Sequence, residues 1–432
     1  MARLIKITII VFCLFVCLID ADAAFNLGKN GPKVRGFIES GFGVKLGSDN
    51  TKRDSFNFFE QRLQLKTTAY PEFTQFLSDW MAEFSFKGDF TVDEYFDGKT
   101  DFELRESNLA LSPAKWIDLK IGREVFTWGT GDYLFVNDLF PKDYVSFYIG
   151  REDEYLKKPS DGAKVSLYSK KVNLDLIFIP LFEANTIFNG ERLSFFDSFQ
   201  GGIAGRNSDR KIIEPSRQFN NAEFAARAYR NFGSLETALY NFRGFYKMPR
   251  GYLNEANREL FYPRLDAYGM SLRWPALGGI VNFESAFYNS RQDRNGDNRL
   301  IENSMMKYLA GYSKDLGGNC LVGVQYMYEN MFDYGNYRNA LLEGDSRWDE
   351  HRHLFTLRIL KMFRNQTVKS GLFTFFSPSD MDVYIRPSLN YELNDNWGVN
   401  LGANLVWGRD NHTEFGQMEN NKNVYFRLRY SF

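Results

Sequence analysis

The chain has 432 residues, 25% of them charged, with a formal net charge of −1 and a negative mean hydropathy. That balance leaves no room for a bundle of membrane-spanning helices, and the basic residues are too dispersed to form a nucleic-acid surface. Aromatic residues nevertheless reach 17%, with 42 Phe and 24 Tyr.

The N-terminus reads as an export signal. Arg3 and Lys6 precede an apolar run from Ile7 to Ile19, and Ala21-Asp22-Ala23 supplies the small-x-small pattern of a cleavage site. The run is shorter than the roughly 20 residues of a spanning helix. Cleavage is expected after residue 23, giving one domain over 24–432. Cys13 and Cys17 leave with the signal, and Cys320 alone cannot make a disulfide framework.

From Val34 onward the chain repeats a period of two. Phe59, Leu63, Leu65 and Thr67 alternate with Glu60, Arg62, Gln64 and Lys66. Trp80, Ala82, Phe84, Phe86 and Phe90 alternate with Asp79, Glu83, Ser85, Lys87 and Asp89. Strands are expected at 34–45, 58–70, 78–92, 101–112, 116–128, 161–168, 172–180, 222–230 and 233–246. They continue at 264–274, 279–290, 304–314, 319–329, 352–362, 366–376, 381–393, 396–408 and 423–432. This gives a transmembrane antiparallel β-barrel of about 18 strands, with 16 as the alternative count. Every second link is short: 71–77, 113–115, 169–171, 231–232, 275–278, 315–318, 363–365 and 394–395. The opposite set includes 129–160, 181–221, 247–263, 291–303, 330–351 and 409–422. Short links at one end and long ones at the other are expected of periplasmic turns and extracellular loops.

Within 104–144 stand Leu104-Arg105-Glu106, Leu119-Lys120-Ile121-Gly122-Arg123, Trp128-Gly129-Thr130-Gly131-Asp132 and Asp138-Leu139-Phe140-Pro141-Lys142-Asp143-Tyr144. This order resembles the porin-like outer-membrane barrels of Gram-negative bacteria related to the alginate-export barrels. The resemblance implies two adjacent strands and the loop that leaves them. Ser107-Asn108 and Glu124 depart from the family's Ala-Tyr and Gln.

Read physically, adjacent Arg105 and Glu106 cannot both face the lumen of a regular strand, so one belongs near a rim or at a bulge. Trp128 reads as an interfacial residue at a strand end. The loop that follows either folds into the pore or lies over its mouth. Trp128, Asp132, Asp138, Asp143, Arg151, Glu152 and Asp153 are its constriction candidates.

The final segment places Val424, Phe426, Leu428, Tyr430 and Phe432 on one face and Tyr425, Arg427, Arg429 and Ser431 on the other. The aromatic end at Phe432 resembles the signal read by the barrel-assembly machinery. Pore-lining candidates are Arg62, Lys66, Glu83, Arg105, Glu106, Glu223, Arg227, Arg358, Arg386, Arg427 and Arg429. Lumen charges of the two signs nearly balance, which argues against a polyanion as cargo. The wall bearing Arg358, Arg386, Arg427 and Arg429 leans basic.

Catalysis, a resident metal and a cofactor are not expected. His351, His353 and His412 fall in or beside outer loops, and Asp293-Arg294-Asn295-Gly296-Asp297 lacks the rest of a calcium loop. The expected function is diffusion or export of a small polar or weakly anionic solute across a Gram-negative outer membrane, in contact with its lipid and lipopolysaccharide. The alternative is a structural barrel that sheathes or docks a partner in an export or electron-transfer assembly. The sequence leaves the oligomeric state open.

Overall fold

A computed structural model of the chain describes residues 25–26, 33–53, 55–70 and 80–432. The expected signal at 1–23, the link 71–77 and Asp79 lie outside them.

Eighteen long strands among the described residues form one closed antiparallel barrel. They are β1 (Lys33–Lys45), β2 (Phe56–Ala69), β3 (Met81–Asp93), β4 (Lys99–Ala114), β5 (Ile117–Glu124) and β6 (Ser160–Leu167). Next come β7 (Asn173–Ile179), β8 (Glu223–Phe232), β9 (Leu235–Phe245), β10 (Arg264–Ala276), β11 (Gly279–Ser290) and β12 (Met305–Asp315). The last six are β13 (Cys320–Met331), β14 (His351–Phe363), β15 (Val368–Ser377), β16 (Asp382–Glu392), β17 (Trp397–Gly408) and β18 (Asn423–Ser431). Each expected strand has its counterpart, and the count is 18 rather than 16. The clearest boundary error is the fifth strand, expected to reach 128, which ends at Glu124.

Closure joins the two ends of the chain. β18 pairs with β1 from Phe37↔Ser431 to Lys45↔Asn423, and Gly36 and Phe432 exchange two backbone bonds of 3.0 Å. Phe25–Asn26 adds a short pairing beside Lys33 and Val34.

Seven of the eight expected short links lie at one end of the barrel, the eighth, 71–77, being outside the described residues. At the β10–β11 turn, Leu277 (φ 53°) and Gly278 (φ 73°) both adopt left-handed backbone, as a two-residue hairpin of matching twist requires. The opposite end carries the long loops, of which 125–159 and 180–222 are the largest. The outward face is apolar and aromatic. Phe90 and Phe102 pair across strands at 4.6 Å, Phe178 and Phe224 at 5.0 Å, and Phe84 is exposed.

The inward face carries the alternate residues, among them Glu39, Arg62, Asp89, Glu284 and Arg427, all buried. A side chain exposed on a soluble barrel's outside is a side chain in hydrocarbon when the barrel spans a bilayer. Phe84→Arg is therefore expected to destabilise the barrel by about 2–4 kcal/mol, and Ser85→Arg by much less. Urea titration of the two variants refolded into liposomes checks this; equal costs contradict the register of β3.

Candidate functional site

The residues leaving β5 turn into the barrel, and loop 125–159 crosses its interior. The choice left open by the sequence, pore or mouth, is decided by contacts with inward-facing residues on both sides of the wall. Trp128 does not sit at an interface: it packs inside on Phe140 (5.1 Å) and Tyr240 (5.8 Å). Beyond it, the backbone N–H of Gly131 donates to Glu284 of β11 at 2.9 Å. The N–H of Thr130 donates to the same oxygen. Asp132 follows, its N–H donating to Gln325 Oε1 at 3.1 Å and its carboxylate pairing with Arg358 at 3.3 Å.

An apolar seat holds the middle of the loop. A short helix, α1 (Tyr144–Ile149), is capped by Asp143, whose carboxylate accepts from the Ser146 N–H at 2.9 Å. The α1 residues Phe147, Tyr148 and Ile149 bury against Phe375, Tyr384 and other inward-facing apolar residues. Tyr148 stacks on Tyr384 at 5.0 Å with planes 15° apart. Its carbonyl, which ends an α1 turn, accepts from Asn404 (3.0 Å) and Asn423 (2.9 Å). Nearer the start, Lys142 pairs with Asp138 at 2.9 Å. Burial pushes the Lys142 ammonium below the ordinary lysine range, and Asp138 offsets only part of that.

Past Gly150 the loop becomes polar and meets charges on several strands. Arg151 pairs with Glu60 at 2.7 Å, and Glu60 also holds Arg62 at 3.0 Å. Arg62 continues to Asp89 at 2.7 Å and lies 4.1 Å from the Tyr155 ring. Glu152 meets Arg429 at 2.9 Å and Arg427 at 3.8 Å, while Glu39 holds the other side of Arg429 at 2.7 Å. Asp153 pairs with Arg386 at 3.0 Å. Glu154 pairs with Lys87 at 2.8 Å; burial raises its carboxyl, but Lys87 and Arg105 outweigh burial and hold it below the ordinary range.

Arg105 donates to the carbonyls of Glu154 (3.0 Å) and Lys157 (2.9 Å). A bulge puts it there: Lys87 is registered with Glu106 and Gly88 with Leu104, so Arg105 is the extra residue. Of the rim and the bulge expected as alternatives for the Arg105-Glu106 step, the bulge is present. Its extra residue also frees the Leu104 carbonyl, which accepts from Arg123 at 2.7 Å.

All seven loop candidates thus lie inside the barrel, together with Arg62, Arg105, Arg386, Arg427 and Arg429. The other wall candidates do not touch the loop's charged 151–155 segment. Lys66 is exposed and Glu83 and Glu106 are half-buried toward the short-turn end. Glu223 is sequestered with Lys247 near the long-loop rim. Arg227 stands 3.8 Å from Asp175. The wall that leans basic is engaged: its arginines bind loop carboxylates, because a wall charge left alone beside an inserted loop would lose water without a partner.

Beneath the Gly129–Asp132 turn lies a cavity of about 660 Å³ that includes Arg227, Tyr240, Ser271, Asn282, Gln325 and Arg358 in its lining. Two groups were missed by sequence reasoning. Glu284 has no local motif that sets it apart from other carboxylates of the alternating strands. The apolar seat was missed because strands were read as apolar on one face, yet Gly371-Leu372-Phe373-Thr374-Phe375-Phe376 is aromatic on both. A strand apolar on both faces is covered on both.

The remaining motifs are local structure. Asp293 accepts the N–H groups of Asp297 and Asn298 at 3.2 Å, as an ordinary turn does. His353 and His351 belong to β14 and bond Tyr326 (2.7 Å) and Tyr328 (2.8 Å). Among the described residues no group of three or more His, Cys, Asp or Glu is placed to hold a metal ion.

No protein-family model matches the sequence, and no curated protein sequence matches it. Solved structures do match. OccD3 of Pseudomonas aeruginosa aligns with a TM-score of 0.53 at 10% identity, over 95% of this chain and 92% of that one. OccAB4 of Acinetobacter baumannii gives 0.54 at 10%, over 93% and 98%. OccK3 of P. aeruginosa gives 0.52 at 13%, over 93% and 95%. The fold is that of an 18-stranded outer-membrane porin barrel. At such identities the likeness concerns fold and not cargo.

Arg151→Ala removes one of the two cations that Glu60 holds and costs less than the about 3–5 kcal/mol of a buried charge left wholly unpaired. Most of that falls on the loop, because Glu60 keeps Arg62. Limited proteolysis of the purified variant is expected to cut within 142–156 while the barrel stays heat-modifiable. Equal protection of that segment in both proteins contradicts the assignment.

Proposed function

We propose that the chain is an outer-membrane channel through which a small polar or weakly anionic solute diffuses or is exported. The observation that carries this is the inserted loop. It is tied to the wall by charged and polar arms and leaves a polar cavity of about 660 Å³ beneath it. A wide barrel needs such a constriction to select solutes by size and charge. The neighbours' porin fold supports the same reading.

The relation to alginate-export barrels, resting on residues 104–144, belongs to this proposal, but a polyanionic cargo does not. Arginines of the constriction are matched by Glu39, Glu60, Glu152 and Asp153, so no one-signed lining pulls a polyanion inward. A sheath around another protein fits less well, since the lumen already holds its own loop. Export through a leader cleaved after residue 23, insertion among lipid and lipopolysaccharide, and assembly through the strand ending at Phe432 complete the proposal.

The test is reconstitution of the purified protein in planar bilayers. Open-channel conductance is expected from the barrel alone, and silence of the folded protein contradicts the proposal. The double variant Arg386→Gln/Arg427→Gln is expected to shift reversal potential toward cations. It should also add current noise, because both arginines hold the loop. An unmoved reversal potential means that neither lines the conducting path.

A further inference from the structure

The constriction is held by two unlike attachments. The 151–155 segment makes ion pairs with charges on several strands, and many of those charges have wall partners besides. The Trp128-Gly129-Thr130-Gly131-Asp132 turn is centred on one wall carboxylate, that of Glu284, with further bonds to Asn282, Gln325 and Arg358. Glu284 is fully buried, and among the described residues every hydrogen bond it accepts comes from the loop. Its Oε1 takes the N–H groups of Thr130 and Gly131 and, at 2.8 Å, the Thr130 hydroxyl. Its Oε2 takes the Asn137 side-chain amide at 2.7 Å and the Asn137 N–H at 3.2 Å.

The two glycines of the motif fit this grip. Gly129 has φ +85°, and a Cβ on it would stand 3.1 Å from Glu284 Oε1. A Cβ on Gly131 would come within 2.3 Å of the Leu134 carbonyl. A side chain at either position would push the turn off the carboxylate. Asn137 is fixed in turn by its bond to the Met270 carbonyl of β10 at 3.2 Å, and Asn282 of β11 reaches Thr130 Oγ1 at 3.0 Å.

We propose that Glu284 is the positioning residue of the constriction, its carboxylate seating the 129–137 segment as the roof of the 660 Å³ cavity. This rests on the channel reading above. A buried carboxylate is costly unless bonded, and here the bonds come only from the loop. With the loop withdrawn, Glu284 faces lumen water, so the barrel can fold around either state. The carboxylate decides which state is occupied. Charge-assisted bonds to successive backbone N–H groups are suited to that, being strong and directional.

The experiment compares Glu284, Glu284→Asp, Glu284→Gln and Glu284→Ala, each verified as a heat-modifiable barrel. Gln keeps the volume but turns one acceptor into an NH₂ that confronts N–H donors. Single-channel conductance is recorded in planar bilayers. Separately, Thr130→Cys in a Cys320→Ser background is labelled with a membrane-impermeant maleimide. Glu284→Ala and Glu284→Gln are expected to raise conductance and to speed labelling severalfold. Glu284→Asp is expected to restore most of the original low conductance. A folded Glu284→Ala barrel with unchanged conductance and unchanged labelling overturns the proposal. If the intact barrel is silent, the channel reading fails, while the labelling rates still decide whether Glu284 positions the loop.

Discussion

A strand that crosses hydrocarbon must find every backbone partner inside the protein, because lipid offers none. The sheet meets this demand only by joining β18 to β1, down to the two bonds between Gly36 and Phe432. Closure over 18 strands has a geometric consequence: the interior is too wide for wall side chains to fill. Loop 125–159 enters that space, and its own backbone then needs partners as well. The wall supplies them one by one. Glu284 takes N–H groups at Thr130, Gly131 and Asn137, Asn404 and Asn423 serve the Tyr148 carbonyl, and Arg105 serves Glu154 and Lys157. Pairing the wall sets the width, and pairing the loop sets the constriction.

The loop's two halves are held by different physics. Around α1 the seat is apolar and aromatic, so it holds by burial and shape, without regard to salt. The stretch after Gly150 is held by ion pairs reaching β2, β3, β16 and β18. Buried ion pairs contribute little net stability, since desolvation offsets much of the attraction, but breaking one partner is costly. They therefore fix where this stretch lies more than how tightly it is bound. Lumen charge follows from this arrangement: arginines that read as a basic wall are locally matched by the carboxylates of the loop.

Much of the barrel was legible because a strand between lipid and water must alternate, and a one-residue slip exposes the wrong face. The run from Phe59 to Lys66 and the closing segment from Val424 to Phe432 announce their faces residue by residue. The irregularity at Arg105-Glu106 was legible for the same reason, since two adjacent charges break the alternation; that it is a bulge is set by the register of Lys87 with Glu106 and Gly88 with Leu104. Trp128 was misread because interfacial tryptophans and lumen tryptophans look alike in sequence; only Phe140 and Tyr240, distant along the chain, distinguish them. Glu284 could not be singled out either. Its role depends on donors about 150 residues away, and nothing local separates it from a carboxylate that merely lines water. The aromatic seat at Phe373 and Phe375 carried a readable signal, apolar residues on both faces, which points to a covering element without saying which.

The account's central claim is that loop 125–159 narrows an otherwise open barrel. Its most direct test is the conductance of the intact protein and of a variant lacking Lys142 to Asp153, both recorded under one salt condition. The account predicts conductance in both and a severalfold rise on deletion. Equal conductance places the loop outside the conducting path, and that result contradicts it.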